Sequence, residues 1–94
     1  MQKRRAPNYR VLLHRKATKF LDGLDEKARG KVLEDISCLT SFPELDSKID
    51  VAKLEGQKGF YRLRTGKLRT VFSVDKATRT IFVLKIARRE AAYE

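Results

Sequence analysis

Between Gly59 and Val74 the chain alternates, residue by residue, between apolar or semi-polar positions and cations. Side chains alternate across an extended strand, so Tyr61, Leu63, Leu68, Thr70 and Phe72 share one face. Arg62, Arg64, Lys67 and Arg69 share the other. With Thr65-Gly66 between the two runs, the pattern predicts a β-hairpin closed by a two-residue turn. That turn sets Arg64 opposite Lys67, Leu63 opposite Leu68 and Arg62 opposite Arg69.

Before the hairpin the period changes. Tyr9 to His14 is apolar through Val11-Leu12-Leu13 and reads as a first strand. Ala17, Phe20, Leu21 and Leu24 then recur at helical spacing, giving a helix over Arg15–Asp22 that ends at the Asp22-Gly23 turn signal. Asp25 is placed to cap a second helix from Glu26 to about Thr40, with Glu26 complementing its dipole. Leu24, Ala28, Val32 and Ile36 form its apolar row, widened by Leu33 and Leu39. Gly30 weakens that helix by about 1 kcal/mol relative to alanine. Ser41-Phe42-Pro43 ends it, because the residue before proline is pushed towards extended backbone. Glu44 to Gly59 reads as a loop with one short extended piece at Val51 to Leu54.

After the hairpin, Asp75 to Arg79 leads to a last strand, Thr80 to Ile86. Placing Phe82, Leu84 and Ile86 on the core face pairs Thr70 with Leu84. Lys85 then stands opposite Arg69 as a fifth cation. Ala87 to Glu94 leaves the sheet as a short polar tail. The order β-α-α-β-β-β predicts an α+β domain: a mainly antiparallel four-stranded sheet with two N-terminal helices on one face. The cations occupy the other face. Residues 1–8 form a basic arm, and 9–94 a single domain.

Charge sharpens this picture. The 94 residues carry a net charge of +10. Residues 1–20 hold seven bases and no acid, residues 21–55 five bases against nine acids, and residues 56–94 ten bases against three acids. Two basic ends flanking an acidic middle imply a polyanionic partner, nucleic acid first. No apolar run reaches the roughly 18 residues of a membrane span. Met1 to Asn8 lacks the apolar segment of a signal peptide. The single cysteine, Cys38, excludes an internal disulfide and a cysteine-cluster zinc site, and points to a reducing cytoplasm. Neither a metal nor a cofactor is expected.

Four stacked cations in one hairpin cost stability, roughly 0.2–1 kcal/mol for each like-charged cross-strand pair. Basic sheet faces also serve to keep edges soluble. Three of the four are arginine, whose planar fork suits phosphate, and no acid lies between Lys58 and Val74. An anion site follows.

Several stretches together resemble the RelE/ParE superfamily of toxins from toxin–antitoxin pairs. They are Lys53-Leu54-Glu55-Gly56, Tyr61-Arg62-Leu63-Arg64, Gly66 to Phe72, and Val83 to Glu90 followed by Tyr93. The resemblance runs from Tyr9 to Tyr93. It implies one of two activities, ribosome-dependent cleavage of messenger RNA in RelE-like members or inhibition of DNA gyrase in ParE-like ones. The RelE-type catalytic positions are matched by Arg62, Arg64, Arg69, Arg89 and Tyr93, which favours the ribonuclease over gyrase inhibition or a non-catalytic RNA- or antitoxin-binding module. Lys53, Lys58, Lys67, Lys85 and Arg88 are then expected to contact RNA.

The family also implies an acidic, helical, RelB-like antitoxin in a heteromeric complex, and a ribosome with message in its decoding site. RelE-like members often carry lysines where this chain has Arg62 and Arg64, and arginine is a poor general base. Glu55 and His14 are the alternatives within the chain.

Overall fold

Five strands build one sheet where four are expected. The computed structural model describes residues 9–88, so the arm over 1–8 and the residues Arg89 and Tyr93 lie outside the described residues. Strand β1 (Arg10–Leu13) leads into helix α1 (Arg15–Asp22), and helix α2 (Glu26–Ser37) follows. Strands β2 (Asp50–Lys53), β3 (Phe60–Thr65), β4 (Leu68–Asp75) and β5 (Thr80–Arg88) complete the chain. The spatial order is β1-β5-β4-β3-β2. β1 runs parallel to β5, and every other pairing is antiparallel.

Local chemistry explains the helix starts. The Asp25 carboxylate accepts a hydrogen bond from the Ala28 N–H at 2.7 Å, the cap its position announces. His14 caps α1 in the same way, its Nδ1 accepting from the Lys16 N–H at 2.9 Å. The α-helix ends at Ser37 rather than near Thr40, because Cys38–Ser41 tighten into a 3₁₀ turn. Val32, Ile36 and Leu39 bury fully from this stretch, while Leu33 at the edge of the stripe stays 42% exposed.

Both helices cover one face of the sheet. Ala17 and Leu21 of α1, Val32 and Ile36 of α2, and the connecting residues Leu39, Phe42 and Ile49 pack on the strands. They meet Leu63, Leu68, Phe72, Ile81, Val83 and Ile86. Phe42 stands edge-on to Tyr9, Tyr61 and Phe72 at centroid distances of 5.8, 5.2 and 6.3 Å, and pins the loop after α2 to the core.

The hairpin register differs from expectation. Thr65 pairs with Leu68, Leu63 with Thr70 and Arg64 with Arg69, so Gly66-Lys67 is the turn. Gly66 takes a φ of +59° at the first turn position, where a type II′ hairpin favours glycine. Moving a turn by one residue moves the pairing by two, and a shift of two preserves faces. Tyr61, Leu63, Leu68, Thr70 and Phe72 therefore face the helices as expected.

The last strand departs further. A bulge between Val71 and Phe72, whose partners are Lys85 and Val83, leaves Leu84 as an extra residue. One extra residue inverts the alternation on one side of it. Ile81, Val83 and Ile86 are buried, and Phe82 turns outward at 40% exposure, correcting the expected inward set of Phe82, Leu84 and Ile86. Lys85 stands opposite Val71 rather than Arg69, and the strand continues through Ala87 and Arg88 instead of ending at Ile86. No helix among the described residues is long and apolar enough to cross a membrane.

Candidate nucleic-acid interface

The sheet face turned away from the helices carries two adjacent cross-strand rows. One runs Asp50–Arg64–Arg69–Ala87; the next runs Ala52–Arg62–Val71–Lys85. Arg62, Arg64, Arg69 and Lys85 thus share a face, as the alternation requires. Arg64 and Arg69 are directly opposed, an arrangement of like charges that opposes folding by itself.

An acid completes the cluster. Asp50 enters from β2, outside the acid-free window of the hairpin, and takes both β3 arginines. Its carboxylate lies 3.1 Å from an Arg62 terminal nitrogen and 2.8 Å from Arg64 Nε. The Arg62 hydrogen bond is the main cause that holds the Asp50 carboxyl below the usual carboxylate value. Partial desolvation pushes the other way, and the charges of Arg62 and Arg64 add to the lowering. Although Arg64 approaches closer, it contributes less, in keeping with its side chain being 50% exposed against 21% for Arg62.

Arg69 is different. Its Nε and one terminal nitrogen are shielded from solvent and have no hydrogen-bond partner among the described residues. Such shielded donors cost about 1–3 kcal/mol each when left unmet. They are the feature of this face that calls most directly for an acceptor.

Beside Arg62 the face hollows into a cleft of about 730 Å³. Its lining includes Ala52, Glu55, Gln57, Phe60, Val71, Leu84 and Lys85, with Lys53 at the rim. Lys58 is exposed in the turn before β3 and borders a separate hollow with Lys76. Lys67 and Arg88 do not join the basic face. Lys67 sits in the turn, and Arg88 pairs with Leu68 on the helix-facing side. The two line a groove of about 520 Å³ against Leu24, Asp25 and Ala28. His14 is engaged as the α1 cap beyond β1, at the sheet edge opposite β2.

Two elements of this face escape a reading of the sequence. Asp50 carries no motif; only its position opposite Arg64 reveals it, and that needs β2 to be recognised as a strand. The cleft needs the Leu84 bulge, which no turn residue announces.

A family model described as the ParE toxin of the type II toxin–antitoxin system, parDE, matches residues 11–93. The curated "Putative toxin RelE1" of Methanocaldococcus jannaschii is 35% identical over 86 residues, which is 92% of this chain and 96% of that protein. The archaeal RelE–RelB complex from Pyrococcus horikoshii contains a chain that superposes with a TM-score of 0.76 at 34% identity. That match covers 88% of this chain and 97% of the other. A chain of the RelB–RelE antitoxin–toxin complex from Methanococcus jannaschii shares the fold, with a TM-score of 0.72 at 24% identity, covering 89% and 96%.

Proposed function

We propose that this chain, which belongs to the ParE toxin family of type II toxin–antitoxin systems, is a ribosome-dependent, metal-independent messenger RNA endoribonuclease. As a RelE-like toxin it stands with proteins solved as RelE–RelB complexes. The observation that carries the ribonuclease reading is Arg69. A guanidinium with shielded, unmet donors sits directly beside Arg64 and one row from Arg62, a geometry that suits a phosphate.

The chemistry asks for few parts. The 2′-hydroxyl of RNA attacks its own phosphate, forming the 2′,3′-cyclic phosphate as the bond to the 5′ oxygen breaks. One proton leaves the attacking oxygen and another reaches the departing one. Negative charge builds on the phosphoryl oxygens between these events, and preorganised cations stabilise it more than they stabilise the ground state. Arg62, Arg64 and Arg69 take that task. Arg89 is assigned to the leaving 5′ oxygen, and Tyr93 to stacking on a base or orienting the attacking hydroxyl. None of the arginines serves as proton acceptor, since guanidinium stays charged at working pH. Asp50 is a poor acceptor too, being held ionised by its two arginines.

Asp50 instead acts as a resident counter-ion. It orders Arg62 and Arg64 in the free protein and gives way when phosphate competes for them. An acidic, helical, RelB-like antitoxin would supply the same kind of anionic group and keep the face occupied until release.

The ParE description of the family model favours a second reading, gyrase inhibition without chemistry. Expression without antitoxin, with RNA 5′ ends mapped on translated messages, separates the two. Ribosome-dependent cuts that fall about 100-fold in Arg69→Ala and Arg89→Ala support cleavage. Growth arrest with intact RNA and altered DNA supercoiling overturns it.

A further inference from the structure

We infer that the cleft beside Arg62 is a nucleobase subsite that selects bases with a hydrogen-bond-donating amino edge over uracil. The inference rests on the ribonuclease reading and names what lies next to the phosphate.

The cleft has a charged end and an apolar interior. Arg62 and Lys85 stand at the end that adjoins the Arg64–Arg69 row, where a phosphate would lie. From there the lining turns apolar through Val71, Leu84 and Phe60. Its volume, about 730 Å³, falls within the roughly 300–1,000 Å³ common for small-ligand clefts. Two features of the chain make this room. Ala52 puts only a methyl group beside Arg62 in its cross-strand row. The bulge at Leu84 brings that side chain to the cleft wall next to Lys85, where strict alternation would separate them. A base stacking on Phe60 would be held by its face, which is indifferent to sequence.

Selection needs an edge. The segment after β2 is closed by its own backbone hydrogen bonds. Leu54 N–H donates to Phe60 O at 2.9 Å, Gln57 N–H to Leu54 O at 3.3 Å, and Phe60 N–H to Gln57 O at 3.2 Å. Gly56 makes the bend with a φ of +78°. The Glu55 and Gln57 side chains are thereby presented at the cleft from a closed turn, with their rotamers as the main freedom left to lose on binding. Neither side chain hydrogen-bonds or ion-pairs with another described residue.

An ionised carboxylate only accepts hydrogen bonds, and an amide offers two donors and an acceptor. Glu55 therefore matches the amino group of cytosine, adenine or guanine and is repelled by the flanking carbonyl oxygens of uracil. Nothing acidic is needed for binding phosphate, so an acid placed here discriminates.

Binding and cutting test this separately. Titrating the toxin with AMP, CMP, GMP and UMP should shift the amide signals of Leu54, Phe60 and Leu84, with UMP about fivefold weaker. Glu55→Gln should level the four, and Ala52→Leu, which fills the cleft without touching the core face, should weaken all four. In cleavage maps, Glu55→Gln should admit uracil at the position beside the cut that the wild type disfavours. Equal binding of UMP, or signals that move only elsewhere, overturns the subsite. So does a Glu55→Gln enzyme that slows at every site without changing their order, which would make Glu55 a proton acceptor instead. Base-selective binding by a protein that cuts no RNA would sustain the subsite and sink the ribonuclease.

Discussion

Replacing Arg69 by methionine should make this protein more stable and far less active. Methionine keeps the unbranched stem and removes the guanidinium, whose Nε and one terminal nitrogen are shielded without partners among the described residues. Each unmet donor costs about 1–3 kcal/mol. The direct opposition to Arg64 adds roughly 0.2–1 kcal/mol of like-charge repulsion. Losing the polar contacts of a flexible side chain returns little, since none is made by the shielded nitrogens. Taking the low end of each contribution, a net gain of about 2 kcal/mol is expected, at about 4–8 °C in Tm per kcal/mol for a domain of this size. Cleavage should fall about 100-fold through the lost charge stabilisation.

Thermal and urea unfolding give the first quantity, and single-turnover cleavage on programmed ribosomes the second. Inorganic phosphate supplies an internal control, because a ligand of the folded state raises Tm by mass action. It should raise the wild type and leave Arg69→Met nearly unchanged. A fall in Tm for Arg69→Met would show that the guanidinium is satisfied in the free protein. The inference of an anion site from its unmet donors would then fail.

Three further substitutions probe parts of the fold and the face. A Cβ added at Gly30 meets nothing within 4 Å, so Gly30→Ala should stabilise by about 1 kcal/mol with RNA cleavage unchanged; a loss in urea midpoint would contradict the open helix surface. Asp50 should titrate below the ordinary aspartate value of about 3.9, because Arg62 and Arg64 favour its ionised form. A depressed carboxylate contributes stability that is present above the unfolded value and lost as pH falls through the folded one. The stability difference between wild type and Asp50→Asn should therefore be full at pH 6 and vanish in strong acid. Carbon-detected NMR of the carboxyl in Arg62→Gln should show the midpoint returning upward. At neutral pH, Asp50→Asn should also bind single-stranded RNA more tightly, with a steeper salt dependence.

Much of this molecule is written in its local pattern. The alternation from Tyr61 to Phe72 predicts which side chains face the helices, and it does so even though the turn sits one residue later than expected. Side-chain facing depends on a period of two, which survives an even shift of register. Caps are equally legible, since Asp25 reaches only its own third neighbour. Helix faces follow from spacing, and the concentration of arginines on the open side follows from the same arithmetic.

What the pattern leaves open is what depends on a neighbour distant in the chain. Leu84 reads as one more inward position until β4 imposes a bulge that turns Phe82 outward and opens a cleft. Lys67 reads as a member of the basic face and Arg88 as an RNA contact in a tail beyond the sheet, yet the turn and the strand end place both on the helix side. Above all, the hairpin looks free of acid because the acid belongs to β2, ten residues before β3 begins. Alternation decides the side of a sheet on which a residue lies, because that is a property of one strand. Strand pairing decides what it meets there, and so it alone could set Asp50 against Arg62 and Arg64 and leave Arg69 unanswered among the described residues.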